Sequence, residues 1–296
     1  MLMEGGLLSN DISVDDSPNP AELRITVMQI GATQVILANL SRILTAITAA
    51  AEEGSQFIVF PECILSGYMY NSIEEVRQHA VALDSPEIQA VAKACALNGV
   101  YVVLGFLESQ PDDTVNNSAV MINPSGEIVT CYRKVHLPFL GADRFVTAGS
   151  IPPPVVNTPF GRVGIGICYD LRFPESARSM ALSGADIIAH PSTMPHEANL
   201  LLEHFVPVRA CENRVFFALA NRGDDENGVS FMGRSQIVSP AGIRIAEAQE
   251  VGEVALTVSI NLAESREKRI VVRPGEYEVA LFNDRRPVTY VAITSS

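Results

Sequence analysis

The chain has 296 residues, 34 acidic and 21 basic, for a formal net charge of −13 at pH 7. With 47 % hydrophobic and 19 % charged residues it is too apolar for intrinsic disorder. The sign of the charge is wrong for a nucleic-acid binder, which needs a basic face to displace counterions, and for docking on an anionic membrane surface. No apolar run reaches the about 20 residues that a bilayer span takes. The first twenty residues carry Glu4, Asp11, Asp15 and Asp16, where a secretory leader would need positive charge. Five cysteines, widely spaced and without a CxxC pair, argue against a disulfide framework or a zinc site and fit a reducing cytoplasm. The length sits near the limit for one core, about 250–300 residues, so one large domain or two small ones are expected.

In chain order, residues 1–22 read as a mobile arm, rich in Ser, Asn, Asp, Gly and Pro and without periodicity. Residues 24–30 read as a strand, 36–53 as a helix closed by Gly54, and 56–60 as a short buried strand. Ser85-Pro86-Glu87 is a helix start, with a capping hydroxyl, a proline in the first turn and an acid at the positive helix end. That helix should stop at Gly99, before a buried strand over 100–107. Residues 118–123 and 127–133 flank the turn Pro124-Ser125-Gly126 as a hairpin. The order then repeats: strand 162–167, helix 174–183, strand 186–190, helix 198–212, strand 215–220, and a hairpin of 235–239 with 243–247. Two halves of strand, helix, strand, helix, strand and hairpin predict an α/β fold. Packed sheet to sheet, they would make a four-layer α-β-β-α sandwich around one shared core. Residues 261–269 read as helical. The tail beyond them has little periodicity, so 263–296 is expected to pack as an extension on the domain or on a partner subunit.

Three short constellations carry chemistry. Glu62 ends the strand of Phe60-Pro61-Glu62, and active sites of α/β proteins lie at the carboxyl ends of strands. Desolvation there raises a carboxylate's pKa, so it can serve as a base near neutrality; the plainer role is to cap a turn. Lys134, one of only three lysines, follows a strand in Arg133-Lys134-Val135-His136. A fixed cation beside a reaction centre stabilises an oxyanion, whereas most lysines are simply solvated; His136 competes as the partner of a thiol. Cys168 lies at a sharp stop after the glycine-interrupted strand Val163–Ile167 and before a helix starting near Pro174. A thiol at such a turn can be drawn towards thiolate, with backbone N–H groups free to hold an oxyanion. Most free cysteines are core residues, a role that suits Cys95 and Cys131 better than Cys168, which is followed by Tyr, Asp and Arg. No segment has metal-ligand spacing, and no glycine-rich phosphate loop is present.

Glu62 in FPECILSGY, Lys134 in YRKVHLPF and Cys168 in GIGICYDLRFPE, in that order, resemble the nitrilase (carbon-nitrogen hydrolase) superfamily and its Glu-Lys-Cys triad. The resemblance spans about residues 23–290, including RACENR at 209–214 and MGRSQIVSPAG at 232–242, with the domain proper at 23–262. It implies the same α-β-β-α sandwich, assembly as a homodimer or larger homo-oligomer, no metal and no organic cofactor. By the same resemblance Glu62 takes the thiol proton and later activates water. Cys168 attacks an amide carbon, and Lys134 with the Tyr169 N–H holds the oxyanion. The chain departs from the family at a second acid: many members place a Glu in the segment that here reads LGADRFVTAG, and Asp143 is the nearest acid. Asp143 would then position substrate or support Lys134, or else close an Asx turn or pair with Arg144.

CYDLRFPE resembles the amidase branches, so hydrolysis of a small aliphatic amide through a thioester is expected. N-carbamoyl hydrolysis is the alternative, followed by ω-amidase and nitrilase activity. Tyr68, Phe139, Tyr169 and the segment His190–Met194 with Thr193 are the expected pocket walls, and Tyr68 and Phe139 would equally serve as core aromatics. Arg172 would meet a substrate carboxylate in an ω-amidase, or pair with Glu175. Two other classes are a scaffold protein with an unused thiol, which an intact triad argues against, and an acyl transferase, whose lipoprotein branch carries membrane helices that this chain lacks.

Overall fold

The computed structural model describes residues 22–294. The arm expected over 1–22 lies outside them, except that Glu22 already opens the first strand. The first half runs β1 (Glu22–Gln29), α1 (Ile36–Glu52), β2 (Phe57–Val59), α2 (Ile73–Gln78), α3 (Pro86–Asn98), β3 (Tyr101–Ser109), β4 (Val115–Ile122) and β5 (Ile128–Arg133). Strands β1, β2 and β3 are parallel, and β3, β4 and β5 are antiparallel. The second half runs β6 (Val155–Asn157), β7 (Arg162–Ile165), α4 (Pro174–Leu182), β8 (Ile187–Pro191), α5 (Val206–Asn213) and β9 (Phe216–Ala220). A short ribbon follows, β10 (Asp225–Glu226) with β11 (Val229–Ser230), and then the hairpin β12 (Gln236–Val238) and β13 (Arg244–Glu247). Here too three strands are parallel, β7, β8 and β9, and the hairpin adds antiparallel to β9.

The two six-stranded sheets are ordered β14-β1-β2-β3-β4-β5 and β13-β12-β9-β8-β7-β6, where β14 (Val254–Asn261) returns to pair antiparallel with β1. Alternation along the strands makes the layers. Val27, Val59 and Val103 join Ile165, Ile187, Ala189 and Ala218 in the core between the sheets, and that core continues to Met180 of α4 and Ala210 of α5. Ile58, Val102 and Leu104 point the other way, onto Ile43 and Ile47 of α1 and Val91 and Cys95 of α3. The result is the expected sandwich: helices, sheet, sheet, helices. Local signals set the helix ends; Ser85 caps α3 by accepting the Ile88 N–H, Pro86 opens it, and Gly99 closes it at φ +66°.

Two expectations are corrected. The helix expected over 198–212 is split into a π-wound turn, Leu201–Phe205, and α5. Gln236 and Arg244 donate to the Leu202 carbonyl at 2.9 and 3.2 Å, and Arg244 also reaches Glu203, so these carbonyls are drawn from the regular ladder. The helix expected over 261–269 is one turn, α6 (Ala263–Arg266). Beyond it the chain forms a hairpin, β15 (Ile270–Arg273) with β16 (Tyr277–Val279), and a last turn, α7 (Val291–Thr294). In this tail Phe282 packs on the main core, with the Arg178 and Lys268 cations each 5.3 Å from its ring centre. No helix among the described residues is long and apolar enough to cross a membrane.

Candidate active site

Glu62 leaves β2 through Pro61 and is fully buried. This segment lies directly on β3 at Gly105, where a β-carbon would stand 2.6 Å from both the Glu62 Cα and the Cys63 nitrogen. Only a glycine admits that approach. Lys134 is the first residue after β5, and its N–H donates to the Asn117 carbonyl of β4 at 2.8 Å. Its ammonium, also fully buried, donates to Glu62 Oε1 and to Asp143 Oδ2, each at 2.6 Å. Asp143 comes from a 3₁₀ turn, Gly141–Arg144. Its carboxylate also accepts from Tyr68 OH at 2.9 Å and from Asn117 Nδ2 at 2.8 Å. Arg144 instead donates to the Gly141 and Tyr70 carbonyls, so neither an Arg144 pair nor an Asx turn accounts for Asp143.

Cys168 opens a 3₁₀ turn, Cys168–Arg172, directly after the strand end. Its φ of +41° lies in the left-handed region, where a non-glycine residue costs on the order of 1–3 kcal/mol and persists only when its surroundings fix it. The turn is fixed by Asp170, whose carboxylate accepts from the Ile167 N–H and Tyr132 OH, both at 2.9 Å. His136 Nδ1 lies 2.6 Å from the other oxygen of Asp170, and its ring stacks on Phe173 at 3.7 Å. His136 therefore buttresses the turn and does not partner the thiol. His190 donates from Nε2 to the Cys168 carbonyl at 3.2 Å. Burial pushes its pKa down to about 4, so it is neutral at pH 7.

The thiol is not poised as thiolate. Burial pushes the Cys168 pKa well above its ordinary value, and the Glu62 carboxylate pushes it further; Lys134 and the backbone of Thr193 oppose this without prevailing. The expectation of a lowered thiol pKa is thus corrected, because Cys168 is only 8 % exposed and the Glu62 carboxylate outweighs the Lys134 ammonium. Burial also raises Glu62, against the pull of Lys134. For Lys134 burial favours the neutral amine, but Asp143 and Glu62 outweigh it and hold the ammonium well above its usual pKa. Glu62 Oε1 is occupied by Lys134 and by Asn117 Nδ2 at 2.7 Å, whereas Oε2 is buried and finds no hydrogen-bond partner among the described residues. A protonated thiol next to a raised carboxylate with one free oxygen is an arrangement for proton transfer.

Other expected residues divide. Thr193 is buried, and its hydroxyl donates to the Glu62 carbonyl at 3.0 Å. Tyr68 is buried as a support for Asp143, its own N–H held by Glu226 at 3.0 Å. Tyr169 is half-buried, edge-on to Phe173, with Arg172 over its ring at 6.0 Å. Phe139 is not brought into the cluster; it is 90 % exposed. Asn117 was missed, although it bonds both carboxylates. Its signal was a run of three polar residues, Asn116-Asn117-Ser118, inside a strand that is buried along its whole length. No group of three or more His, Cys, Asp or Glu side chains among the described residues could hold a metal ion.

Residues 24–270 match the family model described as Carbon-nitrogen hydrolase. The chain belongs to the carbon-nitrogen hydrolase family. Within the nitrilase superfamily it is 37 % identical over 236 residues to a nitrilase of Pyrococcus abyssi, covering 78 % of this chain and 87 % of that one. An ω-amidase of Xenopus laevis is 31 % identical over 283 residues, 90 % of this chain and 99 % of its own. Among solved structures, a variant of the amidase from Nesterenkonia sp. AN1, with the acetamide moiety of fluoroacetamide added covalently at its active-site cysteine, superposes with a TM-score of 0.77. It is 25 % identical, and the match covers 93 % of this chain and 98 % of that one. The fold is that of these amidases, and the chain is a hydrolase of the carbon-nitrogen class.

Proposed function

We propose that this hydrolase cleaves a small aliphatic amide to a carboxylic acid and ammonia through a thioester on Cys168. The observation that carries the reading is the free oxygen of Glu62 beside a buried, protonated thiol. As Sγ bonds to the amide carbon, Oε2 takes the thiol proton. Lys134 has three N–H donors and spends two on Glu62 and Asp143, so the third meets the oxyanion together with the Tyr169 N–H. The C–N bond then breaks, and the leaving nitrogen takes the proton from Glu62. Water gives Glu62 a proton as its oxygen bonds to the acyl carbon. The C–S bond breaks, sulfur regains the proton, and the acid departs. The chain's own nucleophile, base and cation close this cycle without a cofactor. The trapped cysteine of the Nesterenkonia amidase supports the assignment of the nucleophile.

The test is ammonia release from a panel of short amides, ω-amides, carbamoyl amino acids and nitriles. Cys168→Ala should abolish turnover and leave thermal unfolding unchanged; undiminished release would end the reading. Carbon dioxide appearing with ammonia would move it to N-carbamoyl hydrolysis. Because Glu62 must be ionised to act and its pKa is raised, kcat/KM should fall on acidification at a pH above the ordinary carboxylate value of 4.5. Cytoplasmic action and assembly as a homodimer or larger homo-oligomer belong to the same reading. Apolar side chains exposed along the tail, Val288 and Ile293, support assembly, which light scattering would measure.

A further inference from the structure

We propose that Asn117 is a positioning residue that selects which oxygen of Glu62 acts as the base. This rests on the amidase reading above and deepens it. The Asn117 amide sits between the two carboxylates of the site. Its two N–H donors are divided, one to Glu62 Oε1 at 2.7 Å and one to Asp143 Oδ1 at 2.8 Å. Its oxygen accepts from the Cys63 thiol at 3.6 Å, so the amide has one orientation that satisfies all three neighbours. Its backbone carbonyl accepts the Lys134 N–H, which ties the cation's strand end to the same residue.

The consequence is geometric. Lys134 alone could lie astride both oxygens of Glu62. With Asn117 added, Oε1 carries two charge-assisted bonds and the carboxylate plane is fixed, leaving Oε2 unpartnered and buried. Asn117 also separates two carboxylates that share one ammonium, since each has its own N–H. No other residue type of this size donates twice while carrying no charge.

The groups facing Glu62 are Lys134, Asp143, Cys168, Cys63 and Tyr68. Of the neutral neighbours, Asn117 is the one that stabilises the ionised carboxylate, so its loss must move the titration of the base upward.

The experiment uses the full chain with Asn117→Asp and Asn117→Ala. Asn117→Asp keeps the shape, and its protonated carboxyl can serve only one of the two acids; it remains informative where Asn117→Ala fails to fold. Two pH profiles are recorded: kcat/KM on a short amide, and the rate of Cys168 alkylation by iodoacetamide, which needs no amide turnover. Both variants should lose about 10–100-fold in kcat with KM changed little, the scale of one charge-assisted hydrogen bond. The acid limb should move up by about one pH unit in both assays. A variant that melts lower but whose profiles overlay the wild type would make Asn117 merely structural and overturn the proposal. If the wild type releases no ammonia from any amide but the alkylation limb moves, the amidase reading fails and the role of Asn117 stands. If the wild type is an amidase and neither limb moves, the reverse holds.

Discussion

The loop after β2 ends on Glu62, and the loop after β8, which holds the same place in the second half, ends on Thr193. The two loops touch, since the Thr193 hydroxyl donates to the Glu62 carbonyl at 3.0 Å. Strand β5 is followed at once by the buried Lys134, whereas its counterpart β13 ends at Glu247, which pairs with Arg234 near the surface at 2.6 Å. The ion cluster of Glu62, Lys134 and Asp143 comes from the first half and the turn that follows it, and the second half sends a neutral thiol on a left-handed backbone. The two halves share a plan of apolar alternation but not of charge. Apolar patterning is easily duplicated, because any residue of suitable size fills a layer. A buried ion is not, because each one costs several kcal/mol unless partners surround it, and here one lysine, two acids, an amide and a phenol are used together.

That division can be tested at both ends. Lys134→Met removes the cation of the first half and should lower turnover about 10²–10³-fold, while His136→Ala, which only loosens the Cys168 turn, should cost far less; comparable losses in steady-state kinetics would erase the distinction. On the neutral side, His190 is uncharged in the folded state with a pKa near 4, against 6.5 when free. The unfolded chain therefore takes up a proton as pH falls below 6.5, and stability is lost progressively down to about pH 4, by about 3 kcal/mol in total. Urea unfolding across that window should be steeper in pH for the wild type than for His190→Gln. The smallest effect concerns the scaffold beneath Glu62. Gly105→Ala would press a methyl on the Glu62–Cys63 backbone and should destabilise by about 1–3 kcal/mol, read from the urea midpoint. An unchanged midpoint would mean that the loop after β2 is free to shift.

The order of elements was legible because alternation and helix caps are local. Strands β1 to β5 and β7 to β9, the hairpin after them, and helices α1, α3 and α4 stand within a few residues of where periodicity placed them. Strand β14 was not legible: its side chains are mostly half-buried or exposed, so neither face reads as core, and its partner is the far end of the chain. Glu62, Lys134 and Cys168 were legible as short motifs at strand ends. The departure at the second acid points to Asp143, and Tyr68, expected as a wall or a core aromatic, is buried as a prop of Asp143. The polar run around Asn117 marks a buried polar site at most; the role of its amide is unreadable until the fold surrounds it with carboxylates. Phe139 misled because an aromatic beside a motif suggests a pocket whichever way the chain turns.

The return of β14 has a consequence for synthesis. Glu22 pairs with Asn261 and Gln29 with Val254, so the opening strand waits for nearly the whole chain before its outer neighbour exists. Gln29 at its end is likewise held by the carbonyls of Glu250 and Gly252, at 2.8 and 2.9 Å. A nascent chain that stops short of residue 254 would present an apolar β1 with a bare edge, open to pairing with another such chain. Emergence of β14, rather than the local folding of either half, then sets when the outer edge of β1 is covered.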